Sequence, residues 1–499
     1  MKSLMILVVA VCCLTLTTLC EAKQADRASS KRPWRPQHAF QSHTPQCDWD
    51  DGPLILTPYI TSGQIELAQK LSSVDILSEY YRQSYSGFLT VNASDNSNMF
   101  FWFFPAEIDE PADAPLILWL QGGPGATSMF GLFVEHGPFH VTKHLRLVPR
   151  EYRWTKLANM LYIDNPVGTG FSFTGSLDGY SRDEIQVGLN LYEGLLQFFT
   201  MFPQYQSTDF YITGESYGGK YVPALAYRIH VSNWNSTLQI PLKGIAIGNG
   251  LVDPGTMMQY GDLLFQLGLA DENQRDYFHT QENLFRQAVS NSAWYEAFLI
   301  FDSLLNGDKI PWPTYFYNVT HSQYYFNILQ DVQPADMEYY NQYLELCDVR
   351  SAIHVGKQEF SNGSLVEHFM LEDIAKSSAL YLADLMNNYK VLLYNGQLDI
   401  ICGLPLTEAY LQNLDWSGKD AYKNASRSVW KVDESDDQVA GYVRQVDKFY
   451  QVAVRLGGHM LPYDQPRSTF DMMWRFIFDK GFGPDTTKVH HARFLNRKI

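Results

Sequence analysis

An α/β architecture, a mostly parallel central sheet flanked by helices, is predicted by three observations. Six short runs are predominantly apolar: Leu116–Leu120, Met160–Ile163, Phe210–Thr213, Gly244–Ile247, Val391–Tyr394 and Val452–Leu456. Such runs suit parallel strands covered on both faces. Amphipathic segments separate them. One of the runs leads directly into a serine between glycines, followed by a helical segment.

In chain order, Tyr85–Val91 and Asn98–Phe104 flank the turn-rich stretch NASDNS and read as a β-hairpin. Ser181 and Glu184 have the spacing of a capping box, and Leu189, Leu191, Leu195, Leu196 and Phe199 follow as the apolar stripe of a helix. Residues 255–375 lose the strand rhythm and are rich in helix formers and aromatics. They read as a largely helical insertion that divides the α/β core into 49–254 and 376–483. Residues 23–48 are basic, polar and proline-bearing, and read as a disordered or removable segment. The tail over 484–499 is again basic and irregular.

The chain has 499 residues, with 38 Lys+Arg against 54 Asp+Glu and a net charge of −16. With no basic surplus to neutralise phosphates, nucleic acid is an unsuitable partner. Lys2, an apolar run from Leu4 to Cys20 and then Ala22 read as a secretory signal peptide. The run is short for a membrane span of about 20 apolar residues, so no stable span is expected. Beyond it the chain keeps Cys47, Cys347 and Cys402. An odd number allows at most one internal disulfide and leaves at least one free thiol. Sequons at Asn92, Asn235, Asn318, Asn362 and Asn424 suggest a glycosylated surface in the secretory pathway.

The sharpest chemical signal is Gly214-Glu215-Ser216-Tyr217-Gly218, between the strand-like DFYIT and the helix-like GGKYVPALAYRI. That is the context of a nucleophile elbow, in which glycines allow the tight turn that projects the serine. A serine hydroxyl needs a base near neutral pH. His459 in GGHMLPYDQP and Asp399 in YNGQLDIICG both lie just past strand-like runs, and the order Ser, Asp, His is that of α/β-hydrolases. Taken singly, a loop histidine is often structural and an aspartate after Asn-Gly is often a turn residue. The glycine-rich run Trp119–Gly125 matches no nucleotide-binding pattern; beside a nucleophile it would supply backbone N–H groups to an oxyanion. No metal-ligand spacing is evident and no cofactor is expected.

The ordered motifs WLQGGPG, EHGP, NPVGTGFSF, GESYGGKYVP, GNGLVDP, NGQLD and GGHMLPYDQP resemble the serine carboxypeptidase family, most closely its vitellogenic or vitellogenic-like branch. The resemblance runs from about residue 50 to 480. It implies an α/β-hydrolase fold, with Ser216 as nucleophile, His459 as general base and acid, and Asp399 orienting His459. It further implies an oxyanion hole from the N–H groups of Gly123 and Tyr217. The substrate's C-terminal carboxylate would be read by Trp119, Gln121, Gly122, Glu135 and Glu215. Two glutamates can serve an anion only if at least one is protonated, which ties the implied activity to acid pH and to secreted or lysosome-like compartments. The partner implied is a peptide or protein C-terminus, with a homodimer left open. Gln121 stands where the family commonly has Asn, and Ala126 where it often has Cys. Cys402 matches a free thiol near the substrate pocket of some members, with an inert buried cysteine as the alternative. Cys47 and Cys347 would then be free to pair. Acyl transfer or ester hydrolysis on the same triad, and a catalytically weak storage or binding role, are the other readings.

Overall fold

The NASDNS stretch turns the chain between two antiparallel strands, β1 (Tyr85–Asn92) and β2 (Ser97–Phe104), in the computed structural model. The structure describes residues 47, 52–77, 81, 83–310 and 312–483, all within one compact unit, Phe40–Ile499. The signal peptide expected over 1–22 and the tail over 484–499 lie outside the described residues, as does the 23–48 segment apart from Cys47.

The strands that follow are β3 (Leu116–Leu120), β4 (Phe139–Val141), β5 (Leu147–Pro149), β6 (Asn159–Ile163), β7 (Phe210–Glu215) and β8 (Leu242–Gly248), then β9 (Lys390–Gly396), β10 (Ser428–Trp430), β11 (Gly441–Val446) and β12 (Phe449–Val454). Ten of them form one sheet in the order β1-β2-β6-β3-β7-β8-β9-β12-β11-β10, with β4 and β5 as a separate pair. Pairing is parallel from β6 through β12 and antiparallel at both margins. The α/β-hydrolase fold expected from the sequence is the fold observed.

Among the described residues, helices of eight or more residues are α1 (Glu184–Met201), α2 (Gly218–Ser232), α3 (Glu272–Ser290), α4 (Trp294–Phe301), α5 (Ser364–Ile374), α6 (Ala379–Asn388), α7 (Leu404–Leu411) and α8 (Pro466–Ile477). Successive residues of a strand point to opposite faces. On β7, Phe210 meets Phe199 of α1 at 5.5 Å between ring centroids, while Tyr211 meets Phe476 of α8 at 5.8 Å. Helices therefore cover both faces, which is why the parallel strands read as predominantly apolar runs. Between β8 and β9 the described residues form helices and loops without a strand.

Three local expectations are corrected. Helix α1 is capped by Asp183, whose carboxylate accepts from Gln186 N at 2.9 Å, not by Ser181. Glu184, expected to close the capping box, is buried instead. The last parallel strand ends at Val454 rather than Leu456, because Leu456 adopts a left-handed backbone (φ 57°) and is half exposed. It also starts earlier, since Gln451 is buried and accepts from the Tyr422 hydroxyl at 3.0 Å. Cys47 and Cys347 form a disulfide with Cα atoms 5.7 Å apart, and Cys402 is free and buried.

Candidate active site

Parallel strands present their C-terminal ends along one edge of a sheet, and that edge is where such folds place their chemistry. Here Gln121 follows β3, Ser216 follows β7, Asp399 lies three residues beyond β9 and His459 five beyond β12. These strands are near neighbours in the sheet, so residues far apart in sequence meet at one edge.

Ser216 occupies the left-handed region with φ 61°, the strained conformation of a sharp strand-to-helix turn. Helix α2 starts two residues later and directs its N-terminal N–H groups toward the turn. The β3 loop lies directly against the elbow. A Cβ on Gly122 would fall 2.5 Å from Tyr217 N and 2.7 Å from Ser216 Cβ, so only glycine permits the approach. Among the described residues, neither Gly123 N–H nor Tyr217 N–H donates to a backbone carbonyl. The Tyr217 ring is fixed from behind: its hydroxyl donates to Asp373 Oδ2 at 2.8 Å, and Lys220 Nζ pairs with the same oxygen at 2.5 Å.

Asp399 and His459 are both buried and are joined through Oδ2 and Nδ1 at 2.8 Å. The other ring nitrogen of His459, Nε2, is buried without a hydrogen-bond partner, and His459 and Ser216 are not hydrogen-bonded in this structure. Catalytic hydrogen bonds of this kind often tighten only with substrate in place. Burial raises the Asp399 pKa, opposed by the adjacent His459 and by the N–H groups of Cys402 and Ile401.

Next to Ser216 lies a polar chain. Trp119 Nε1 donates to Gln121 Oε1 at 2.8 Å, and Gln121 Nε2 donates to Glu215 Oε1 at 3.1 Å. Glu135, on a single π-helical turn over Gly131–Glu135, lies against Glu215 and beside the Gln121 side chain. Both glutamates are fully buried. Two carboxyls in contact cannot both ionise, and they hydrogen-bond only by sharing a proton. Burial pushes the Glu135 pKa up to about 7. Glu215 is raised well above the ordinary range, by burial first and then by the charge of Glu135. This pair has the property that the reading of a carboxylate requires.

Such shifts act on stability as well. A carboxyl whose pKa is raised by folding holds its proton more tightly in the folded chain. Its stabilising contribution is complete below the unfolded value of about 4.3 and is lost as pH rises through the folded value. Glu135 and Glu215 share this sign, as does Glu184, which is raised by burial and by Asp373. Denaturant midpoints are therefore expected to fall between pH 5 and pH 8; a rise over that interval would contradict the assignment.

Two parts of the site were not named from the sequence. The segment 325–328, between β8 and β9, clamps the Asp399 and His459 loops. Ile400 N donates to Tyr325 O at 3.1 Å, His459 N to Phe326 O at 2.7 Å and Ile328 N to Leu398 O at 3.0 Å. Asp464 accepts from Gly458 N at 2.7 Å and from Asn327 Nδ2 at 3.0 Å, which holds the His459 loop to that segment. Asp464 lies inside the GGHMLPYDQP motif and was visible there; nothing in the sequence marks 325–328. Cys402 sits beside Asp399, and burial, reinforced by that carboxylate, pushes its thiol well above the ordinary range. Glu215 acts on it in the same direction, so this free, buried thiol lies close to the residues of the site. Of the sequon asparagines, Asn235, Asn318 and Asn424 are exposed, while Asn92 and Asn362 are half-buried. Among the described residues no His/Cys/Asp/Glu cluster is arranged to hold a metal ion, and no helix is long and apolar enough to cross a membrane.

Residues 77–479 match the family described as serine carboxypeptidase. The chain is 52% identical to the probable serine carboxypeptidase CPVL of Homo sapiens, over 87% of this chain and 91% of that protein. It is 50% identical to the venom serine carboxypeptidase of Apis mellifera, over 86% of this chain and 92% of that one. Identity to the vitellogenic carboxypeptidase of Aedes aegypti is 40%, over 89% and 94% of the two chains. Among solved structures, the prohormone-processing carboxypeptidase KEX1(delta)p of Saccharomyces cerevisiae superposes with a TM-score of 0.71 at 24% identity. That alignment covers 82% of this chain and 96% of the other, and it speaks for the fold alone.

Proposed function

This chain belongs to the serine carboxypeptidase family and is a serine-type carboxypeptidase, and from that premise we propose that it releases single C-terminal residues at acid pH through Ser216, His459 and Asp399. Ser216 Oγ attacks the last peptide carbonyl while His459 Nε2 takes its proton. Asp399, bound to Nδ1, keeps Nε2 available as acceptor and stabilises the imidazolium. The oxyanion is held by the N–H groups of Gly123 and Tyr217. His459 then protonates the leaving amine, the free amino acid departs, and water deacylates Ser216 by the same route.

The observation that carries this reading is the Glu135–Glu215 contact at the nucleophile. Glu215 is the residue immediately before Ser216, so the group that reads the terminal carboxylate and the group that attacks are adjacent. That short separation fits a substrate with one residue beyond the scissile bond. A proton shared by the pair lets one glutamic acid donate to the carboxylate, supported by Trp119, Gln121 and the Gly122 backbone. Ester hydrolysis or acyl transfer on the same triad does not call for such a pair. Residues 255–375 serve as a cap that helps select the residue before the scissile bond, over a core of 49–254 and 376–483. The signal-peptide reading, the Cys47–Cys347 disulfide and the sequons support a secreted or lysosomal glycoprotein carrying glycans at Asn92, Asn235, Asn318, Asn362 and Asn424.

Blocked dipeptides with free and amidated C-termini, assayed from pH 4 to 8 with Ser216→Ala as control, test the proposal. Release of the free amino acid is expected only from the free acid and to be strongest in acid. KM should rise as pH passes the Glu135 value of about 7. Glu135→Gln, whose amide donates at every pH, should flatten that rise. Equal turnover of the amidated substrate, or a KM independent of pH, would sink the carboxylate-reading assignment.

A further inference from the structure

The three catalytic residues stand on three different loops, and one side chain outside them reaches two of those loops at once. Asn249 follows β8 directly, is fully buried and has a left-handed backbone with φ 41°, a conformation asparagine tolerates better than most residues. Its Nδ2 donates to His459 O at 2.5 Å and to Gly458 O at 3.1 Å. Its Oδ1 accepts from Gly396 N at 2.9 Å, at the end of β9 and three residues before Asp399. Its own N–H donates to Tyr394 O at 2.8 Å. The neighbours of Asn249 secure the third loop: Ser216 N donates to Gly248 O at 3.1 Å, and Leu251 N donates to Ser216 O at 2.9 Å.

This arrangement is tightly packed. A Cβ on Gly396 would lie 2.1 Å from Gly458 O, so the Asp399 and His459 loops pass backbone to backbone, with the Asn249 amide bonding both. Both polar atoms of the amide are used. A buried amide satisfied on both ends holds its partners in one arrangement, because each alternative leaves a donor or acceptor unpaired.

We propose that Asn249 is a positioning residue that fixes His459, and with it Asp399, relative to Ser216. It touches neither substrate nor reacting atoms. The proposal rests on the triad reading above. The Asn249 side chain is hydrogen-bonded to none of the carboxylate-reading side chains, so its loss should fall on turnover and not on binding.

Two variants test this. Asn249→Gly keeps the left-handed backbone and the bond to Tyr394 O but removes the amide. Misplacement of reacting groups by about 1 Å costs on the order of 100-fold. Asn249→Gly is accordingly expected to lower kcat about 10- to 100-fold, with KM for a blocked dipeptide little changed. Asn249→Asp preserves size and the acceptor. Its carboxyl can donate one bond while neutral, but when ionised it faces two carbonyl oxygens. Its kcat should therefore be partly rescued at pH 5 and fall further toward pH 7, adding a limb absent from the parent profile.

Rates are to be expressed per active serine, titrated with a fluorophosphonate, so that misfolded protein is not counted. The rate of phosphonylation reports the Ser216–His459 geometry without any substrate carboxylate and should fall with kcat. Per-site kcat within twofold of the parent in Asn249→Gly, or a loss lying wholly in KM, overturns the proposal. Retention of parental release by Ser216→Ala would instead overturn the triad reading, and the proposal with it.

Discussion

Ser216→Ala is expected to lower kcat roughly a million-fold, His459→Ala about as much, and the double variant little further. The non-additivity follows from how the groups act. A hydroxyl without a base is a poor nucleophile, and a base without a hydroxyl has no proton to take. Asp399→Asn should cost about 10,000-fold, because an amide at that position can donate to Nδ1 and select the tautomer in which Nε2 carries the proton. KM should change little in all of these, because Trp119, Gln121, Glu135 and Glu215 form their own bonded group beside the triad. Residual turnover above the uncatalysed rate would come from the oxyanion donors and substrate positioning. Steady-state kinetics on a blocked dipeptide decide the matter. A Ser216→Ala enzyme within tenfold of the parent would remove Ser216 from the mechanism.

The parts legible in the sequence were those written locally. Strand β3 was bounded to the residue, because its five apolar residues end at the glycine-rich loop. Asp399 and His459 were named from their places past strand-like runs, and they lie in hydrogen-bond contact. The cap of α1 was misplaced by two residues because Ser181 and Asp183 both have capping chemistry, and only the backbone path selects between them. Strands β10 and β11 were missed. They lie at a sheet margin, where β11 is only partly buried and carries the polar pattern of a half-covered strand. Asn249, Tyr325 and Ile328 act through contacts with residues more than 60 positions away; Asn249 stands in the GNGLVDP motif, but neither that motif nor any periodicity names the partners it meets.

Lys220 is the most consequential residue of this long-range class. In GGKYVP it reads as an ordinary helix lysine, yet its side chain is 1% exposed and pairs with Asp373, itself 3% exposed. Its Nζ also donates to the Asp373 carbonyl and, at 3.3 Å, to the Tyr217 hydroxyl. The pair joins the first turn of α2 to the end of α5, with Glu184 of α1 close by. Lys220→Met would leave the Asp373 carboxylate buried without its cation, beside a second carboxyl. Breaking one side of a buried pair costs about 3–5 kcal/mol, a large share of the roughly 5–15 kcal/mol that holds a folded chain together. The expected result is a lower denaturant midpoint at unchanged m-value. Lys220→Met with Asp373→Leu should recover much of the loss, since the stranded charge is then gone. Turnover per active serine should remain depressed in that double variant. Tyr217 would have lost the partners of its hydroxyl, and its N–H is the oxyanion donor proposed next to Ser216. A Lys220→Met chain within about 1 kcal/mol of the parent would mean that water reaches the pair and screens it as on a surface. A double variant with full per-site turnover would separate the anchoring of Tyr217 from catalysis.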